Sequence, residues 1–358
     1  MATPFLRSIL VQALLLLLLR SAAAQSKDVA IQIVDAGEPE SGFSMQPVFW
    51  LNDQTLITSR FQPGPHNYGF YSVNVRSKSC QHIADCEQGI RGQVPDLSID
   101  LKRSIALVDA GIAEQKTNFR ITELSSGKNQ LLRSPLDMHS AGVYWLPARK
   151  CWVVGGRAFN NRGVIVEVGN VSKDTLISYD LNLPDRFVMP LGVFPNGDIV
   201  VETSDIATAT VYDVFRLHFD NGSYKVKRIV VHLPTDQKKC PNISCMSPDG
   251  RTLTLAYEHH GKHPPLLFPR PNGGEPEDSP PWYDLYAYDM TRGISVKIGS
   301  IPWYTITEGF SDLMLRWTPS SRYLSFYVPY CARIYRIDMA KFRKRIEFQA
   351  KRAARKLQ

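Results

Sequence analysis

A short unit that repeats along the chain is the feature that most restricts how it can fold. Its clearest copy is Cys245–Tyr257, CMSPDGRTLTLAY. In the Pro248-Asp249-Gly250 turn, proline presets φ, the aspartate can bond its own backbone, and the glycine accepts a positive φ. The residues after the turn alternate between apolar and small or polar side chains, which is the period of a β-strand. The unit is therefore predicted to be a strand, a tight turn and a second strand.

The same unit recurs along the chain. Two copies are clear, RWTPSSRYLSFYV from Arg316 and LGVFPNGDIVVE from Leu191, and weaker copies begin near Phe49, Asp100 and Tyr144. The six turns are predicted to open at Leu51, Asp100, Pro147, Pro195, Pro248 and Pro319. The intervals are 49, 47, 48, 53 and 71 residues. The near-constant spacing of the first four indicates a repeat architecture.

A second alternating segment follows each copy and ends near an acidic or polar turn. These segments are Phe70–Val75, Phe119–Glu123, Val164–Val168, Val214–Phe219, Tyr283–Asp289 and Arg333–Asp338. Each unit then holds three strands and has room for a fourth. The repeat therefore predicts an all-β fold, a six-bladed β-propeller of four-stranded antiparallel blades, because stacking the blades in a ring covers both faces of every sheet.

Two further segments have places in this propeller. Asp28–Val34, DVAIQIV, precedes the first unit and is predicted to supply a strand to the last blade and close the ring. His259–Pro281 carries seven prolines and has no strand or helix period, so it is predicted to be a surface loop between two strands of the fifth blade. A β-sandwich or two small β domains is the alternative all-β interpretation, and it does not explain the fixed period.

The fifth and sixth units resemble the repeats of TolB-type β-propellers. The resemblance lies in Ser-Pro-Asp-Gly-Arg at 247–251, the alternating apolar residues after it, and Leu-Tyr-Ala-Tyr-Asp at 285–289. It implies a six-bladed propeller over about residues 28–340. In TolB the propeller is a periplasmic interaction platform that follows an N-terminal α/β domain, for which no room is expected here, so the partners of TolB are not carried over. Similar repeats occur in peptidases and polysaccharide lyases, so the resemblance implies a fold more than a function.

Residues 1–24 have the organisation of a secretory signal peptide. Arg7 precedes an apolar run, Ile9–Leu19, and small residues at 21–24 precede Gln25. The alternative is an uncleaved membrane anchor, but the run is too short to cross about 30 Å of hydrocarbon as a helix. Cleavage after Ala24 predicts an exported protein, either periplasmic or secreted.

Positive charge is concentrated at the C-terminus. The chain has a net charge of +8, yet residues 25–340 hold 32 basic against 33 acidic residues, so no nucleic-acid partner is expected. The tail, 341–358, has a helical apolar stripe at Phe342, Ile346, Ala350, Ala353 and Leu357. Its predicted partner-binding residues are the cations Lys341, Arg343, Lys344, Arg345, Lys351, Arg352, Arg355 and Lys356. Contact with an anionic membrane, polymer or acidic groove is one interpretation, and a solvated tail is the other.

The cysteines suit an exported protein, whereas the sequons would carry glycans only in a eukaryotic secretory pathway and do not identify the host. Two pairs would close small loops and are the disulfide candidates, Cys80 with Cys86 and Cys240 with Cys245. The remaining cysteines, Cys151 and Cys331, complete a set interpreted as structural staples and buried thiols. The glycosylation candidates are Asn170, Asn221 and Asn242.

No catalytic motif is evident in the sequence. GxSxG, P-loop, GxGxxG and HExxH patterns are absent, and no cofactor is predicted. The weak metal candidates are His259, His260 and His263, since imidazoles can bind zinc, copper or iron. Their place beside a proline-rich segment favours a solvated loop instead. The recurring aspartates Asp53, Asp249, Asp289 and Asp338 are assigned to turns, and the aromatic residues of 282–304 mainly to packing between blades.

These observations favour an exported, non-catalytic β-propeller that acts as a protein- or glycan-binding platform. One alternative is a propeller enzyme, a metal-assisted lyase or hydrolase, whose site lies at the central channel. Another is a peripheral protein that binds an anionic surface through its basic tail.

Overall fold

The structure is a computed structural model of the chain. The residues that it describes are 31–34, 44–61, 68–86, 96–109, 117–133, 138–158, 162–169, 176–184, 186–194, 196–205, 212–232, 241, 243–259, 266–267, 282–302, 315–328, 333–344 and 346–348. These residues form six four-stranded antiparallel sheets. The predicted six-bladed β-propeller is therefore confirmed.

The strands, numbered in chain order, begin with β1 (Ile31–Val34). The first blade consists of β2 (Ser44–Trp50), β3 (Thr55–Phe61), β4 (Tyr68–Asn74) and β5 (Ser79–Cys86). The second consists of β6 (Asp96–Leu97), β7 (Arg103–Asp109), β8 (Thr117–Glu123) and β9 (Lys128–Arg133). The third consists of β10 (Met138–Leu146), β11 (Cys151–Ala158), β12 (Arg162–Val168) and β13 (Leu176–Pro184).

The remaining blades complete the ring. The fourth consists of β14 (Arg186–Val193), β15 (Ile199–Asp205), β16 (Tyr212–Asp220) and β17 (Ser223–Ile229). The fifth consists of β18 (Ile243–Met246), β19 (Thr252–His259), β20 (Trp282–Asp289) and β21 (Ile294–Pro302). The sixth consists of β22 (Arg316–Trp317), β23 (Tyr323–Val328), β24 (Arg333–Asp338) and the N-terminal β1. Helical residues follow at 340–344 and 346–348.

The N-terminal strand closes the ring as the sequence predicted. β1 pairs antiparallel with β24, with Ile31 opposite Ile337. The seam between the first and sixth blades is also hydrogen-bonded, because the Trp50 indole donates to Ser325 Oγ at 2.8 Å and Arg316 Nε donates to a first-blade carbonyl at 2.8 Å. The N-terminal strand β1 and the strands of the last repeat therefore lie in one sheet, which joins the first and last repeats.

Each pair of neighbouring blades shares its own apolar core. Between the second and third blades, for example, Phe119 packs with Trp152 and Val166. The other five interfaces have equivalent clusters. The inner strands are buried on both faces, as in β20, whereas an outer strand such as β17 is largely exposed or half-buried. This gradient explains why only three strands of each unit have a clear apolar pattern.

The repeat register differs from the prediction in one blade. In the second blade the turn opens at Ile99, one residue before the predicted Asp100. The Ser98 hydroxyl donates to Asp100 at 2.6 Å, as the Ser247 hydroxyl donates to Asp249 at 2.6 Å. With this correction the equivalent positions are 51, 99, 147, 195, 248 and 319, and the first three intervals are all 48 residues. The repeat is thus more regular than the sequence alone indicated.

The predicted disulfides are not formed. Cys80 and Cys86 lie at opposite ends of the extended strand β5, about 20 Å apart at about 3.3 Å per residue, whereas a disulfide needs Cα atoms within about 7 Å. The Cys80–Cys86 prediction is therefore wrong. Cys245 is a buried free thiol, so the structure does not contain its bridge to Cys240, which lies outside the described residues.

Candidate functional site

A cavity of about 350 Å³ opens at one end of the central channel. Its walls come from the first strand of every blade and from the turns that join first to second strands. We call this cavity the funnel and this end of the propeller the mouth. Each blade contributes equivalent repeat positions, so the funnel is built as a series of rings.

Two apolar rings form the wall of the funnel. The collar lies two residues before the position at which each turn opens and consists of Phe49, Leu97, Trp145, Val193, Met246 and Trp317. The rim lies in the turns and includes Ile99, Pro147, Pro248 and Pro319. Ile99 is 43% exposed, so the apolar surface continues out of the cavity. The funnel can therefore take an apolar group from solvent without first opening.

A third ring, the floor, lies one residue deeper than the collar. It consists of Val48, Asp96, Tyr144, Gly192, Cys245 and Arg316. Four blades thus supply a carboxyl, a phenol, a thiol and a guanidinium at the same depth. The fourth blade supplies no side chain there, because a Cβ on Gly192 would lie 3.0 Å from that of Met246.

Burial changes the protonation of the floor residues. It raises the pKa of Asp96 to about 7, against the lowering effects of the Leu97 N–H, which donates to Asp96 at 2.9 Å, and of Arg316. It also raises the pKa of the Cys245 thiol to about 11 and that of Tyr144 above its usual range. At neutral pH Cys245 and Tyr144 are therefore protonated and Asp96 is about half ionised. The Arg316 Nε and Nη1 atoms donate to backbone carbonyls.

A second carboxyl lies near this floor, between the fourth and fifth blades. Glu202 is 8% exposed, and burial raises its pKa to about 7 against the hydrogen bonds of Ser244 and Tyr212. Its Oε2 atom has no hydrogen-bond partner among the described residues. Glu202 and Asp96 both contribute to the raised pKa of Tyr144, whose main cause is burial.

The arrangement favours binding over nucleophilic chemistry. A thiol with a pKa near 11 holds almost no thiolate at neutral pH. The apolar wall can desolvate a ligand, and the carboxyl, phenol and guanidinium of the floor can bond a polar group on it. The funnel therefore suits a ligand that has an apolar body.

The sequence did not reveal the floor because the turn of the second blade was predicted to open at Asp100, one residue too late. Counting back from Asp100 places Leu97 at the floor position, and counting back from Ile99 places Asp96 there. The signal that would have found the floor was the hydroxyl-turn pair shared by Ser98 and Ser247. The polar identity of the ring emerges only when all six copies are aligned correctly.

The structure places His259, the one histidine candidate within the described residues, away from the funnel. His259 ends β19, stacks on Trp282 with ring centroids 5.4 Å apart, and lies 3.4 Å from the carboxylate of Asp284. Lys297 and Ser300 already bond this carboxylate. No three potential ligands cluster in the described part of the chain, and His260 and His263 lie outside it. The prediction that 259–281 separates two strands of the fifth blade is confirmed, since β20 begins at Trp282.

Three of the four aspartates at repeat positions bond turn backbone, as predicted, whereas the Asp53 carboxylate accepts from the Ser320 hydroxyl of the sixth blade at 2.6 Å. Asp249 accepts from the Arg251 N–H at 3.1 Å, and Asp289 accepts from the Thr291 N–H at 2.9 Å. Asp338 likewise accepts from the N–H of residue 340 at 3.0 Å. The aromatic side chains of β20 are buried, which confirms their assignment to packing, while Trp303 and Tyr304 lie outside the described residues.

The start of the C-terminal tail is docked on the propeller. Phe342 and Ile346 are buried in the core shared by the fifth and sixth blades. Arg343 donates to Asp249 at 2.9 Å and to the Ser321 carbonyl at 3.0 Å, so it links two mouth turns. Phe342 and Ile346 are therefore not available to a partner. Arg343 is paired within the protein but its side chain is 33% exposed, so its binding role stays a prediction.

The other tail cations divide into two groups. Lys341 and Lys344 are exposed on the helical segment. Arg345, Lys351, Arg352, Arg355 and Lys356 lie outside the described residues. No helix in the described ranges is long and apolar enough to cross a membrane. Among the sequons, Asn221 lies in the exposed β16–β17 turn, while Asn170 and Asn242 are outside the described residues, so glycosylation stays a prediction.

A separate polar cluster is sealed between the third and fourth blades. Glu167 is 2% exposed and bonds Arg149 at 2.8 Å, the Tyr224 hydroxyl and, at 3.8 Å, the Cys151 thiol. Burial raises the pKa of Glu167 and, to about 12, that of Cys151. The Arg149 guanidinium also lies 3.6 Å from the centre of the Phe219 ring. We call these residues the interblade cluster; they do not line the funnel.

No protein-family model matches the chain, and no curated protein matches it. Oligogalacturonate lyase from Vibrio parahaemolyticus is similar in structure with a TM-score of 0.48 and 10% identity over 87% of this chain and 97% of that chain. TolB from Acinetobacter baumannii has a TM-score of 0.45 and 14% identity over 83% and 64%, and the tricorn protease has 0.47 and 9% over 85% and 35%. The propeller assignment rests on the six sheets themselves, and membership of the TolB-type family stays a prediction.

Proposed function

We propose that the protein is a non-catalytic binding platform that takes a segment of a partner protein into the funnel at its mouth. The observation that carries the proposal is the composition of the funnel, whose collar and rim include three aromatic side chains, one methionine and three prolines. Trp, Tyr, Met and Arg are the residue types enriched at the centres of protein interfaces. A recessed apolar surface that remains open to solvent is typical of an interaction site.

A photo-crosslinking experiment tests this proposal. A photoreactive amino acid replaces Ile99 at the rim, and the matched control replaces Leu131, which is 53% exposed on the outer strand β9. After irradiation in the protein's own compartment, the Ile99 site is expected to yield a discrete protein adduct and the Leu131 site none. Equal adducts from both positions, or none from Ile99, would contradict a partner site at the funnel.

Export is part of the same proposal. It is supported by the signal-peptide organisation of residues 1–24. N-terminal sequencing of the protein from its natural source is expected to begin at Gln25. A sequence that begins at the initiator methionine in the mature protein would contradict cleavage.

One observation favours a second candidate function, an enzyme whose site is the floor. Asp96, with a pKa near 7 beside Tyr144 and Arg316, has the protonation behaviour of a general acid or base. The test incubates the molecule captured at the funnel with the native protein and with Asp96→Asn, and follows it by mass spectrometry. Conversion by the native protein alone would favour the enzyme, and an unchanged molecule in both samples would favour the platform.

A further inference from the structure

A fourth ring of equivalent positions surrounds the funnel, and it is basic. It lies three residues after the rim position, where each turn leads into the second strand. Four blades carry an exposed cation there, at Lys102, Lys150, Arg251 and Arg322. We call these residues the basic ring. Apolar rings inside a charged ring give the mouth the anatomy of a protein interface, with an apolar centre and a polar edge.

The cations of this ring differ in how far the protein itself neutralises them. Arg322 pairs with Asp338 at 2.9 Å, and Lys102 lies near enough to Asp100 to lower the pKa of that carboxyl together with Ser98. Lys150 and Arg251 have no ion-pair partner within the described ranges. The ring thus keeps at least two uncompensated positive charges, on the third and fifth blades.

The ring is interrupted at two blades that lie opposite each other, the first and the fourth. At the equivalent position the fourth blade has Asp198, which binds Arg216 and lies 2.7 Å from His218 Nδ1. The first blade has the neutral Gln54 there. Because residues 25–340 are almost neutral overall, the basic ring is a local excess of charge at the mouth and not a property of the whole surface.

Further cations lie beside this ring at the same end. The turns that join third to fourth strands carry Arg76 and Lys78 in the first blade. The helical segment after β24 carries the exposed Lys341 and Lys344. They extend the positive potential outward from the funnel, which favours the approach of an anionic partner.

We propose that the partner segment is acidic, with an apolar side chain in the funnel and Asp or Glu side chains against Lys102, Lys150 and Arg251. This inference rests on the proposed function and specifies the chemistry of its partner. An apolar anchor fills the cavity of about 350 Å³, and flanking carboxylates on the same segment reach the surrounding cations. One partner segment therefore satisfies the apolar and the basic rings together.

The concave shape of the mouth favours a protein segment over an anionic membrane. A lipid surface could touch the basic ring but would leave the recessed apolar collar uncovered. The docked tail also offers no lipid-inserting face at Phe342 or Ile346, because both are buried in the protein. Binding to anionic vesicles is accordingly an outcome that would count against the proposal.

The test measures fluorescence anisotropy of labelled peptides added to the purified full-length protein. The first peptide has a central phenylalanine flanked by glutamates, the second replaces the glutamates by glutamines, and the third replaces the phenylalanine by alanine. We expect the acidic phenylalanine peptide to bind at least about tenfold more tightly than either of the others. Its affinity is expected to fall as salt is raised, because the ring is exposed.

Two variants with equal charge change locate the binding. Lys150→Glu with Arg251→Glu removes the uncompensated cations and is expected to weaken the acidic peptide about tenfold. The control, Arg133→Glu with Lys227→Glu, changes two exposed cations on the outer strands β9 and β17. The control is expected to leave the affinity within about twofold of the native value.

The outcomes separate this inference from the proposed function. Equal binding of the glutamine and glutamate peptides, both blocked by Ile99→Arg at the rim, would retain the funnel site and overturn the acidic partner. Equal weakening by the two double variants, or tighter binding to vesicles with anionic lipid than to the peptides, would also overturn it. If none of the peptides binds and the Ile99 crosslink is absent, both proposals fail.

Discussion

The funnel floor and the interblade cluster contain the same chemical groups and use them differently. Each has a carboxyl whose pKa burial raises, a buried thiol, a phenol and an arginine. In the interblade cluster Glu167 contacts Arg149, Tyr224 and Cys151. On the floor Asp96 has the Leu97 N–H as a hydrogen-bond partner and lies in the field of Arg316. The Glu167 carboxylate is thus paired by side chains of the protein itself, whereas the Asp96 carboxyl lies beside a cavity that is open to solvent.

This difference separates a structural polar group from one that is available to a ligand. A buried carboxylate that is fully paired stabilises the arrangement around it, and removing its partner leaves a charge without compensation. A carboxyl beside an open cavity can exchange its incomplete hydrogen bonding for a bond to a ligand. Residue type and burial alone do not distinguish the two clusters, whereas hydrogen-bond partners and the adjoining cavity do.

The largest expected loss of stability comes from breaking the interblade cluster. Arg149→Ala leaves Glu167 buried without its cation and removes the guanidinium from the Phe219 face, so we expect it to lower the free energy of unfolding by about 3 kcal/mol. Urea denaturation measures this change. The control is Arg162→Ala, which removes a pair with Asp180 whose partners are 52% and 40% exposed, and which should cost less than about 1 kcal/mol. Similar losses in both variants would mean that the sealed cluster is no more stabilising than a surface pair.

Replacing the floor carboxyl Asp96 is expected to raise the free energy of unfolding, whereas replacing Arg149 lowers it. Because burial raises the pKa of Asp96 from 3.8 to about 7, the unfolded chain ionises before the folded one as pH rises. The native protein therefore loses stability between about pH 4 and pH 7, and Asp96→Asn, which cannot ionise, does not. At pH 8 the variant is expected to be more stable by up to about 4 kcal/mol, which is the value of the whole pKa difference, and near pH 4 the two should be equal.

Unfolding in urea at both pH values measures the Asp96 effect. Glu347→Gln, at an exposed helical position, is the matched control and should show the same difference from the native protein at each pH. A variant Asp96→Asn that is less stable than the native protein at pH 8 would show an ionised Asp96 that is stabilised by Arg316. The floor would then resemble the interblade cluster, and the contrast between them would be lost.

Arg343 provides an intermediate case between these two clusters. Its side chain is 33% exposed, and it bonds Asp249 and the Ser321 carbonyl at the mouth. Arg343→Ala is expected to lower the free energy of unfolding by about 1 kcal/mol, since the pair is partly screened by solvent. Lys344→Ala, a neighbouring exposed cation, is the control and should change it by less than about 0.5 kcal/mol. Equal changes in the free energy of unfolding for the two variants would show that the contacts of Arg343 do not stabilise the fold.

The sequence predicted the fold well because the repeat combines local turn chemistry with strand periodicity. Pro248-Asp249-Gly250 and its copies located all six turns to within one residue, and the third strands followed from their alternating pattern. The N-terminal strand followed from topology, since an open ring needs a closing strand. The outer strands were harder to recognise because their exposed faces do not require apolar residues, as in β9 and β17.

The candidate site was not predictable in the same way. Its floor residues are separated by dozens of positions and meet only because six blades place equivalent residues around one axis. A shift of one residue in the second blade was enough to hide Asp96. The cysteine pairs failed for a related reason, since a short separation suggests a loop until β5 is seen to hold both Cys80 and Cys86 in one extended strand.

The smallest expected effect is a difference in alkylation rate between the two buried thiols, Cys245 and Cys151. They differ in their access to solvent more than in their pKa. Burial raises the pKa of Cys245 to about 11 and that of Cys151 to about 12, so both are poor nucleophiles near pH 8. Cys245 lines the funnel, whereas Cys151 is fully buried in the core between the third and fourth blades. A small alkylating reagent should therefore modify Cys245 slowly in the native protein, and Cys151 only through opening of the fold.

Peptide mass spectrometry after timed alkylation follows each thiol separately. We expect Cys245 to react at least about tenfold faster than Cys151 without denaturant, and the acidic phenylalanine peptide to slow Cys245 alone. In urea at the unfolding midpoint the two rates should converge, because both thiols are then exposed in the unfolded chains. If Cys245 reacts no faster than Cys151 in the native protein, the funnel does not admit small molecules as far as its floor. The floor would then be a second sealed cluster, and ligand contacts would be confined to the collar and rim.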